Sequence, residues 1–558
     1  MKNEIYAEIH RVLGGDFLLE SPKDKALAHF ALPCFAMAKV LKKSHIVIAD
    51  EIALKFAQNA HFESVMSVKG YVNFKLSKGF LNECAVRALE NPANFARGAK
   101  PCGSVNFNEN SHENSAAVNL NAENSPKKEK ILLEFVSANP TGPLHIGHAR
   151  GAIFGDTLAR LARHLGQHLD SEYYINDAGK QIRLLGLSVL LAVKEHCLNE
   201  KITPPDELYK GGYVVDLAHA ALKELPREFF KDEANIDEIA FWAKDKMLIL
   251  IKQTLAKAGV KIDNFVSEKS YHAKFDETLK ILKNRGGAYE SEGKIWLASS
   301  QKGDEKDRVI VNERGERSYL AADIVYHADK FARGYTRCIN IWGADHHGYI
   351  ARVKAAVEFL GFQSDKLEVI LAQMVSLLQD GKPYKMSKRA GNFILMDEIL
   401  DDIGADALRF IFLSKKCDTH LEFDIETLKK QDSSNPVFYI NYAHARIHQV
   451  FAKAHKGFES VVNAPLNVLN ADGANLLFEA LNLGATLQNA FEERALQKIP
   501  DYLKNLAALF HKFYAENKVV GSCHEDSLLK LFAVVALSIK TALNIMGIEA
   551  KERMSNEF

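Results

Sequence analysis

Apolar and polar positions alternate differently in successive parts of the chain, and these changes predict where the folded elements lie. Within residues 1–100, apolar and polar side chains alternate with a period of two at 70–76, which indicates a strand. A helix is indicated just before it by apolar side chains at helical spacing, namely Ile48, Ile52, Leu54 and Phe56. We therefore expect a small α+β domain over residues 1–100.

The character of the chain changes over residues 101–130. This stretch is rich in Asn, Ser and Glu, has few large apolar side chains and ends in Pro-Lys-Lys-Glu-Lys. Such a composition buries too little apolar surface to offset the entropy lost on ordering. We predict a linker or a low-complexity loop insertion here.

Two strand–helix units follow. A buried strand is indicated at 131–137, and a turn rich in Pro and Gly at 139–143 leads from it into a helix that runs to about Leu165. The pattern returns at 339–343, where a second apolar strand also precedes a helix. Repeated strand–helix units predict a parallel α/β sheet with ligand sites at the carboxyl ends of its strands.

The same patterns suggest further domain limits. We expect the α/β domain to occupy residues 131–400, with an insertion at about 195–315. Beyond about Asp401 the pattern is nearly all helical, which predicts a helical domain over residues 401–558.

Composition adds few constraints. Lys plus Arg and Asp plus Glu both total 71, so a nucleic-acid partner would need local basic patches rather than an overall positive charge. The seven cysteines are scattered and lack the close spacing of a zinc site, so we expect reduced thiols and no protein-bound zinc.

The chain shows no sign of export or membrane insertion. Its amino terminus lacks the apolar core of a signal peptide, and its most apolar runs, 184–193 and 532–546, are too short or are interrupted by Lys540. We expect a cytoplasmic protein without a membrane partner.

Two motifs can carry phosphate chemistry. His145-Ile146-Gly147-His148 lies where a strand passes into a helix, so two imidazoles could face a phosphate while Gly147 lets a nucleotide approach. The start of that helix should add exposed N–H groups for the same anion. The second motif, Lys385-Met386-Ser387-Lys388, lies far downstream between glycine-containing polar segments, and by itself could be a solvated basic loop.

Together these motifs resemble the HIGH and KMSKS signatures of the class I aminoacyl-tRNA synthetases. Further stretches resemble the arginyl-tRNA synthetases in particular: EFVSANPTG (134–142), EYYINDAG (172–179), SYLAADI (318–324), GADHHG (343–348) and NPVFY (435–439). Arg389 stands where the common signature has a second serine, a variant that the family tolerates. The Asn-rich stretch after Cys102 is not a family feature.

The resemblance implies an amino-terminal tRNA-binding domain, a Rossmann-like catalytic domain and a helical anticodon-binding domain. It implies ATP-dependent activation of L-arginine and transfer to the 3′ end of tRNA(Arg), by a protein expected to be a monomer. In that reaction Lys385 and Lys388 suit the leaving pyrophosphate, and His145 and His148 suit the α-phosphate. Mg²⁺ should accompany the ATP.

The remaining ATP-binding candidates are Gly147, Gly343, Asp345 and Met386. Gly343 would let the backbone pass close to the adenosine, and Asp345 would bind the ribose hydroxyls. An acidic residue at the end of a strand can instead be only a helix cap, so that alternative stays open for Asp345.

An arginine site can be argued from the residues themselves. A guanidinium is always charged, so a buried one needs carboxylates and further acceptors. Glu134 interrupts an apolar strand, and Tyr319 and Asp323 are one helical turn apart. Both carboxylates could equally be partners in internal ion pairs. The resemblance favours the arginine role and adds Ser137, Asn139, His148 and, more weakly, His347.

Candidates for tRNA contact lie at both ends of the chain. Tyr71 and Asn73 belong to a segment that resembles the family's contact with the tRNA elbow, whereas the neighbouring Phe74 could equally be core. In the helical end, Tyr439 could stack on an unpaired base and Arg446 could bind phosphate.

Two other classes of function remain as alternatives. Small-molecule adenylyltransferases also carry an HxGH turn, but their chains are much shorter and lack the helical end. A protein that binds tRNA without catalysis is disfavoured by the intact set of candidate catalytic residues, His145, His148, Lys385 and Lys388.

Overall fold

The computed structural model describes residues 1–15, 17–22, 27–97, 129–177, 179–205, 207–384 and 393–554. Most of the predicted insertion at 101–130 and the whole of the Lys385-Met386-Ser387-Lys388 motif lie outside the described residues. The chain folds as two compact units. One consists of Met1–Lys127, His164–Gly166 and Gln431–Phe558, and the other of Lys128–Arg163 and Gln167–Lys430.

The chain begins with a small α+β fold in the first unit. Its elements are α1 (Lys2–Leu13), β1 (Phe30–Pro33), α2 (Phe35–Leu41), α3 (His45–Lys55), β2 (Phe62–Val68), β3 (Tyr71–Leu76) and α4 (Lys78–Glu90). The strands form an antiparallel sheet of order β1-β3-β2.

Burial within this fold confirms the alternation of β3 and corrects one helical prediction. Phe74 is fully buried, so it belongs to the core, whereas Tyr71 and Asn73 point to the other face. Leu54, predicted to be a packed helical position, is 76% exposed. Since α3 ends at Lys55, Phe56 is buried from the following turn rather than from the stripe of the helix.

The second unit contains the parallel sheet. The elements up to its last strand are β4 (Lys130–Glu134), α5 (Ile146–His164), β5 (His168–Ile175), α6 (Lys180–Ala192), α7 (Gly212–Glu224), α8 (Ile236–Lys257), β6 (Asn264–Ser267), α9 (Phe275–Asn284), β7 (Ala288–Ser291), β8 (Lys294–Leu297), β9 (Arg308–Val311), α10 (Tyr319–Ala332), β10 (Arg337–Gly343), α11 (Ile350–Phe359) and β11 (Leu367–Ala372). Five of these strands pair in the order β11-β10-β4-β5-β6, all parallel. The chain therefore runs outward from β4 in both directions, and the crevice between β4 and β10 is a topological switch point.

Helices cover both faces of this sheet. A Cβ on Gly155 of α5 would lie 2.3 Å from the ring of Phe135, and one on Gly151 would lie 3.6 Å from Ile341. Since side chains alternate along a strand, α5 lies on the face opposite to Glu134 and Asn340. Helix α10 packs on the face that those two residues share.

Part of the predicted insertion at about 195–315 belongs to the five-stranded parallel sheet. It contains β6, which pairs in parallel with β5 through Glu172 and Asn264. The separate antiparallel sheet β7-β8-β9 also lies within it. The strand β6 is short and half-buried, so its sequence lacks the apolar run that revealed β4 and β10.

The second unit ends with β12 (Val375–Gln379), β13 (Lys382–Pro383), α12 (Met396–Leu413), β14 (Leu421–Asp424) and α13 (Ile425–Lys429). Strand β14 pairs in parallel with β12, so a strand lies beyond the point after which the sequence predicts a nearly all-helical chain. The compact unit accordingly continues through Lys430, beyond the predicted limit at residue 400.

The remaining helices are α14 (Pro436–Ala454), α15 (Ala471–Leu481), α16 (Leu483–Glu492), α17 (Lys498–Glu516) and α18 (Glu525–Met546). Asn435 caps α14 by accepting the N–H groups of Val437 and Phe438. By length and composition alone, one helix in the described part of the chain, α18, could span a bilayer, but 72% of its apolar stretch is buried inside the protein.

The amino-terminal fold and the helical bundle pack together within the first unit. Lys530 of α18 donates to Asn82 of α4 at 2.6 Å, and Lys78 of α4 donates to the carbonyl of Leu469 at 2.6 Å. The rings of His29 and Phe478 stack at 4.1 Å. Residues from the two ends of the sequence therefore share one core.

Candidate active site

Polar side chains gather at the carboxyl edge of the parallel sheet. Glu134 ends β4, Asp177 follows β5 and Glu268 follows β6, while Asp345 lies just after Gly343, the last residue of β10. Because all five strands are parallel, these positions share one edge. The switch point between β4 and β10 lies at this edge, and the sequence predicts ligand sites at these carboxyl ends of the strands.

The HxGH turn enters α5 at this edge with both rings in contact. The ring centroids of His145 and His148 are 3.7 Å apart, and burial lowers the pKa of both imidazoles, that of His148 to about 3. Nδ1 of His145 accepts the N–H of Gly147 at 3.2 Å, and Nδ1 of His148 accepts the N–H of His145 at 3.3 Å. Both rings are thus neutral at pH 7 with their proton on Nε2, which makes Nε2–H the free donor.

The predicted role of the helix amino terminus needs correction. The first N–H groups of α5 are already used, since that of Ile146 bonds the carbonyl of Ile394, that of Gly147 bonds Nδ1 of His145, and that of His148 bonds the carbonyl of His145. The turn therefore offers an anion its imidazole N–H groups rather than these backbone groups. Gly147 allows this close packing, because a Cβ there would lie 3.0 Å from the His145 ring and would require the ring to shift by a few tenths of an ångström.

The residues that follow the second signature motif pair with the HxGH turn. Ile146 donates to the carbonyl of Ile394, and Met396 donates to that of Leu144, both at 2.9 Å. Phe393 stacks on His145 with its ring centroid 5.1 Å away. The candidate residues Lys385, Met386 and Lys388 lie outside the described residues, whereas Phe393, Ile394 and Met396 contact the first signature.

The end of β10 presents an exposed polar turn. Gly343, Asp345 and His347 are all exposed, and a Cβ on Gly343 would lie 2.4 Å from the Asp345 carboxylate. Asp345 lies within the turn after β10, and Gly343 rather than Asp345 occupies its N-cap position. Asp345 is therefore not the cap residue of this turn, and its exposed carboxylate lies 3.5 Å from Nε2 of the likewise exposed His346.

Glu134 has an internal partner. Its carboxylate accepts a hydrogen bond from Nζ of the fully buried Lys330 at 2.5 Å and another from the Ser137 hydroxyl at 2.9 Å. The ion-pair alternative raised by the sequence thus describes Glu134 in this structure. Val136 and Ser137 both have positive φ, at 71° and 39°, so the turn after β4 is strained and is held by such contacts.

Tyr319 and Asp323 lie on the first turns of α10, as their spacing predicts. Tyr319 is 60% exposed, whereas the half-buried Asp323 carboxylate accepts the Tyr349 hydroxyl at 2.6 Å. Burial, opposed by that hydrogen bond and reinforced by the charge of Glu134, raises the pKa of Asp323 to about 6. Asn139 is exposed, and its amide donates to Gln181 at 2.6 Å.

The structure adds residues that the sequence did not single out. Burial and the charges of Asp323 and Asp177 raise the pKa of Glu268 to about 7, which makes this an acidic cluster. Asp177 accepts two contacts from the Ser267 hydroxyl at 2.8 Å, while Lys244 is 3.9 Å away.

A buried hydroxyl lies beside the same cluster. The hydroxyl of Tyr174 is buried and has no hydrogen-bond partner among the described residues, and the charges of Glu268 and Asp323 contribute to the rise in its pKa. The sequence signal for these groups was weak. Asp177 and Tyr174 lie in the 172–179 stretch, but Glu268 falls within the predicted insertion.

A second candidate site is a cavity of about 1260 Å³ in the first unit. Its walls come from α14, α18 and the carboxyl-terminal tail, and its polar or charged lining includes Tyr442, Arg446, His448, Lys453, Lys540 and Arg553. Arg446 lies over the ring of Tyr442 at 4.8 Å. Tyr439 does not line this cavity, and its ring contacts His511 at 4.6 Å.

Not every basic residue near the helical end is available to a ligand. Lys456 is paired with Glu525 and Asp526, and Lys429 is paired with Asp402 and Glu426. His444 is buried, and its Nδ1 lies 2.9 Å from the carbonyl oxygen of Lys551. Burial lowers the pKa of His444 to about 4. The cavity lining also contains Glu552, whose carboxylate lies 3.8 Å from Nζ of Lys540 and 4.0 Å from Nδ1 of His448, so part of the positive charge of the cavity is compensated.

A parallel sheet of this order, with an HxGH turn at its switch point, defines the catalytic domain of a class I aminoacyl-tRNA synthetase. Residues 114–449 match the family described as "tRNA synthetases class I (R), catalytic domain", residues 1–76 match the arginyl tRNA synthetase N terminal domain, and residues 440–554 match the DALR anticodon binding domain. The chain belongs to the arginyl-tRNA synthetase family.

Individual relatives agree with this assignment. The chain is 64% identical over 557 residues to an arginine–tRNA ligase of Campylobacter jejuni subsp. jejuni, with all of both chains covered. A C. jejuni crystal structure described as an arginyl tRNA synthetase matches with 65% identity and a TM-score of 0.79, over 86% of this chain and 100% of that one. The arginyl-tRNA synthetase of Thermus thermophilus shares the fold, with 20% identity, a TM-score of 0.73 and 99% of each chain covered.

Proposed function

We propose that this chain activates L-arginine with ATP and transfers it to the 3′ end of tRNA(Arg). The observation that carries the choice of amino acid is the acidic cluster at the sheet edge. Burial is the main cause of the raised pKa values of Asp323 and Glu268, and neighbouring carboxylates add to it, Glu134 for Asp323 and both Asp323 and Asp177 for Glu268. A bound guanidinium would supply the missing positive charge.

The cluster suits a guanidinium in hydrogen bonding as well as in charge. The five N–H donors of a guanidinium need several acceptors, which Asp323, Glu268 and the buried Tyr174 hydroxyl can supply. We assign the exposed ring of Tyr319 to one side of the same group. Ser137, Asn139 and His347 are proposed to contact the amino acid elsewhere.

Glu134 is proposed to contribute to this subsite through its position at the end of β4. Because Lys330 already compensates its charge, we assign compensation of the guanidinium mainly to Asp323 and Glu268. This division of roles refines the expectation from the sequence, in which Glu134 and Asp323 were equivalent.

In the activation step the arginine carboxylate attacks the α-phosphorus of ATP, and pyrophosphate leaves. Neutral His145 and His148 can donate Nε2–H to the phosphoryl oxygens without carrying a charge of their own. Lys385 and Lys388 are assigned to the leaving pyrophosphate. Gly147, Gly343 and Met386 are assigned to ATP, and Asp345 to the ribose hydroxyls.

We propose that Mg²⁺ enters with the triphosphate. Among the described residues, no group of three or more His, Cys, Asp or Glu side chains is placed to hold a metal ion. Mg²⁺ prefers oxygen ligands, which the phosphates of ATP supply and to which a carboxylate at the edge of the parallel sheet can add. The ion would neutralise charge on the phosphates during the transfer.

For tRNA we propose contacts in the first unit. Tyr71 and Asn73 lie on the outward face of β3, where they can meet the tRNA elbow. The basic cavity around Arg446 is assigned to the anticodon loop, with Tyr442 available for stacking on a base. Tyr439 lies outside that cavity, so we keep it only as a flanking contact.

The protein is proposed to work in the cytoplasm as a monomer. Its described cysteines are free thiols, as expected in a reducing compartment. Light scattering on the purified protein, with and without tRNA(Arg), measures the monomeric state directly.

A charging assay tests the proposal. Radiolabelled arginine should become acid-precipitable with this protein, ATP, Mg²⁺ and tRNA(Arg), whereas lysine and the neutral isostere citrulline should not. Absence of arginine charging by folded protein would contradict the proposed function. Charging of citrulline at a comparable rate would contradict the acidic subsite, because citrulline carries no charge for it to compensate. ATP–pyrophosphate exchange with and without tRNA then shows whether activation waits for tRNA.

A further inference from the structure

A row of buried polar residues crosses the sheet beneath the arginine subsite. The strand register aligns Asn340 of β10 with Glu134 of β4, and Glu134 with Glu172 of β5. Aligned residues of parallel strands point to the same face, so all three side chains lie under α10. Asn340 and Glu172 are fully buried, and Glu134 is 7% exposed. Such a row is costly unless each member is paired.

Helix α10 and its C-cap residue, Arg333, supply the pairing cations one turn apart. Arg333 binds Glu172 through two hydrogen bonds of 2.7 and 2.8 Å. Lys330 donates to Glu134 at 2.5 Å and to Oδ1 of Asn340 at 2.9 Å, and it lies 4.2 Å from the ring centroid of Tyr326. Since Lys330 is 0% exposed, its ammonium group depends on these partners in place of water.

One arm of hydrogen bonds runs from Lys330 to the strained turn after β4. The second carboxylate oxygen of Glu134 accepts the Ser137 hydroxyl at 2.9 Å, and the same hydroxyl oxygen accepts the N–H of Tyr174 at 3.1 Å. Ser137 has a φ of 39°, which a serine adopts only when its surroundings hold it there. Fixing Glu134 therefore also fixes this turn.

The other arm runs from Lys330 to the backbone of Asp323. An ammonium can only donate, so Asn340 presents its oxygen to Lys330 and its amide N–H to Nε2 of His327, at 2.9 Å. His327 must then carry its proton on Nδ1, which donates to the Asp323 carbonyl at 2.7 Å. Burial lowers the pKa of His327 well below its usual value, which agrees with this neutral tautomer. The Lys330 ammonium group, which can only donate, thus determines which atom donates in each hydrogen bond from Lys330 through Asn340 and His327 to Asp323.

We propose that Lys330 is a positioning residue of the arginine subsite, which it orders through Glu134 on one side and through Asn340 and His327 on the other. This inference rests on the proposed arginine-binding function. Lys330 does not touch the substrate. It holds in place two of the groups that do, and it neutralises Glu134 so that the negative charge facing the guanidinium comes from Asp323 and Glu268.

The charge of Lys330 has a measurable consequence for Asp323. The positive charge of Lys330 lowers the pKa of Asp323, and the negative charge of Glu134 raises it. The other titratable groups that interact with Asp323 are Tyr349, Tyr174 and Glu268. Removing Lys330 or Glu134 alone should therefore move the titration of Asp323 in opposite directions.

Equilibrium binding of radiolabelled arginine between pH 5 and 8.5 tests the proposal. Lys330→Met should weaken arginine binding at pH 8 by about tenfold or more, and should move the part of the acid limb that Asp323 sets, which lies below the part set by Glu268, to higher pH by about one unit. Glu134→Gln should move that limb to lower pH. The double variant Lys330→Met with Glu134→Gln should return the limb to the wild-type position while leaving binding weak, because the charges balance again but the network is still broken.

Lys274→Met is the matched control. It removes another lysine that pairs with α10, through Asp329 at 2.6 Å, but Lys274 is half exposed and does not belong to the network. This variant should leave the arginine profile unchanged. The KM for ATP should stay within about twofold in every variant, since the network does not reach the HxGH turn.

Several outcomes would overturn the positioning role. Lys330 would be a purely structural ion-pair partner if the acid limbs of arginine binding coincided in all variants. The same conclusion would follow if arginine binding and the KM for ATP worsened together while the melting temperature fell. If Lys330→Met does not fold, two variants still test the proposal. Glu134→Gln should move the acid limb of arginine binding to lower pH, and the double variant should return it to the wild-type position. Failure of the wild-type protein to bind arginine would instead refute the proposed function, so the two failures are distinguishable.

Discussion

Replacing Asp323 by asparagine tests the arginine subsite most directly, because the change keeps the shape of the side chain and removes its charge. The amide oxygen of asparagine can still accept the Tyr349 hydroxyl, which bonds Asp323 at 2.6 Å. The local hydrogen bonding should therefore survive. What the bound guanidinium loses is the negative charge opposite to it.

The magnitude follows from the surroundings of Asp323. Removing one partner of a buried charge pair costs about 3–5 kcal/mol. Asp323 is only half-buried and Glu268 lies in the same acidic cluster, so the lower figure applies. At about 1.4 kcal/mol for each factor of ten, kcat/KM for arginine should fall by about two orders of magnitude. The KM for ATP should change little, because Asp323 is proposed to touch only the amino acid.

Steady-state aminoacylation kinetics at pH 8, together with melting temperatures, provide the assay. Asp329→Asn is a matched control, since Asp329 lies on the same helix and pairs with Lys274 at 2.6 Å and with Arg333 at 2.9 Å. Asp329→Asn should lower the melting temperature without changing the kinetic constants for arginine relative to those for ATP. Asp323→Asn should lower kcat/KM for arginine while leaving the KM for ATP and the melting temperature nearly unchanged.

Two results would refute this reasoning. A stable Asp323→Asn protein with a normal KM for arginine would remove Asp323 from the subsite. A variant that melts early and loses affinity for arginine and ATP to the same extent would make Asp323 a structural residue, as in the control.

Three further predictions can be checked separately. Because burial and neighbouring carboxylates raise the pKa of Glu268 to about 7, lowering the pH from 8 to 5.5 should protonate it and raise the KM for arginine by about tenfold, while the KM for ATP stays nearly constant. Lys388→Ala should slow activation in pyrophosphate exchange by about a hundredfold, since one lost transition-state donor costs about 2.7–4 kcal/mol, and an unchanged kcat would exclude Lys388 from the step. Deleting residues 104–125 should leave aminoacylation within a fewfold of the parent, because loop length changes closure entropy little, and a folded deletion protein that cannot charge tRNA would show that the segment is functional.

Local patterns were enough to locate two of the five parallel strands and the first signature. The apolar runs of β4 and β10 and the turn between β4 and α5 are recognisable because a buried parallel strand needs consecutive apolar residues. The placement of Tyr319 and Asp323 on the first turns of α10 likewise follows from their spacing. Each of these features depends on residues close together in the sequence.

Some assignments failed where packing decides the outcome. The strand β6 lacks a full apolar run and was assigned to the insertion, although it joins the sheet through β5. The backbone N–H groups at the start of α5 were expected to be free, but that of Ile146 is taken by the carbonyl of Ile394, far along the chain. Leu54 fits a helical stripe and yet is 76% exposed, which the spacing of apolar residues within α3 does not reveal.

The sequence by itself thus determined the family, the strand–helix order and the signature residues, because these are written in short spacings and motifs. Only the tertiary structure decided which charges meet. Lys330 is 196 residues from Glu134, and Glu268 joins Asp323 and Asp177 from a different strand end. Such pairs depend on the order and register of the strands, and the free energy of a buried charge depends on every neighbour brought to it, which no local pattern encodes.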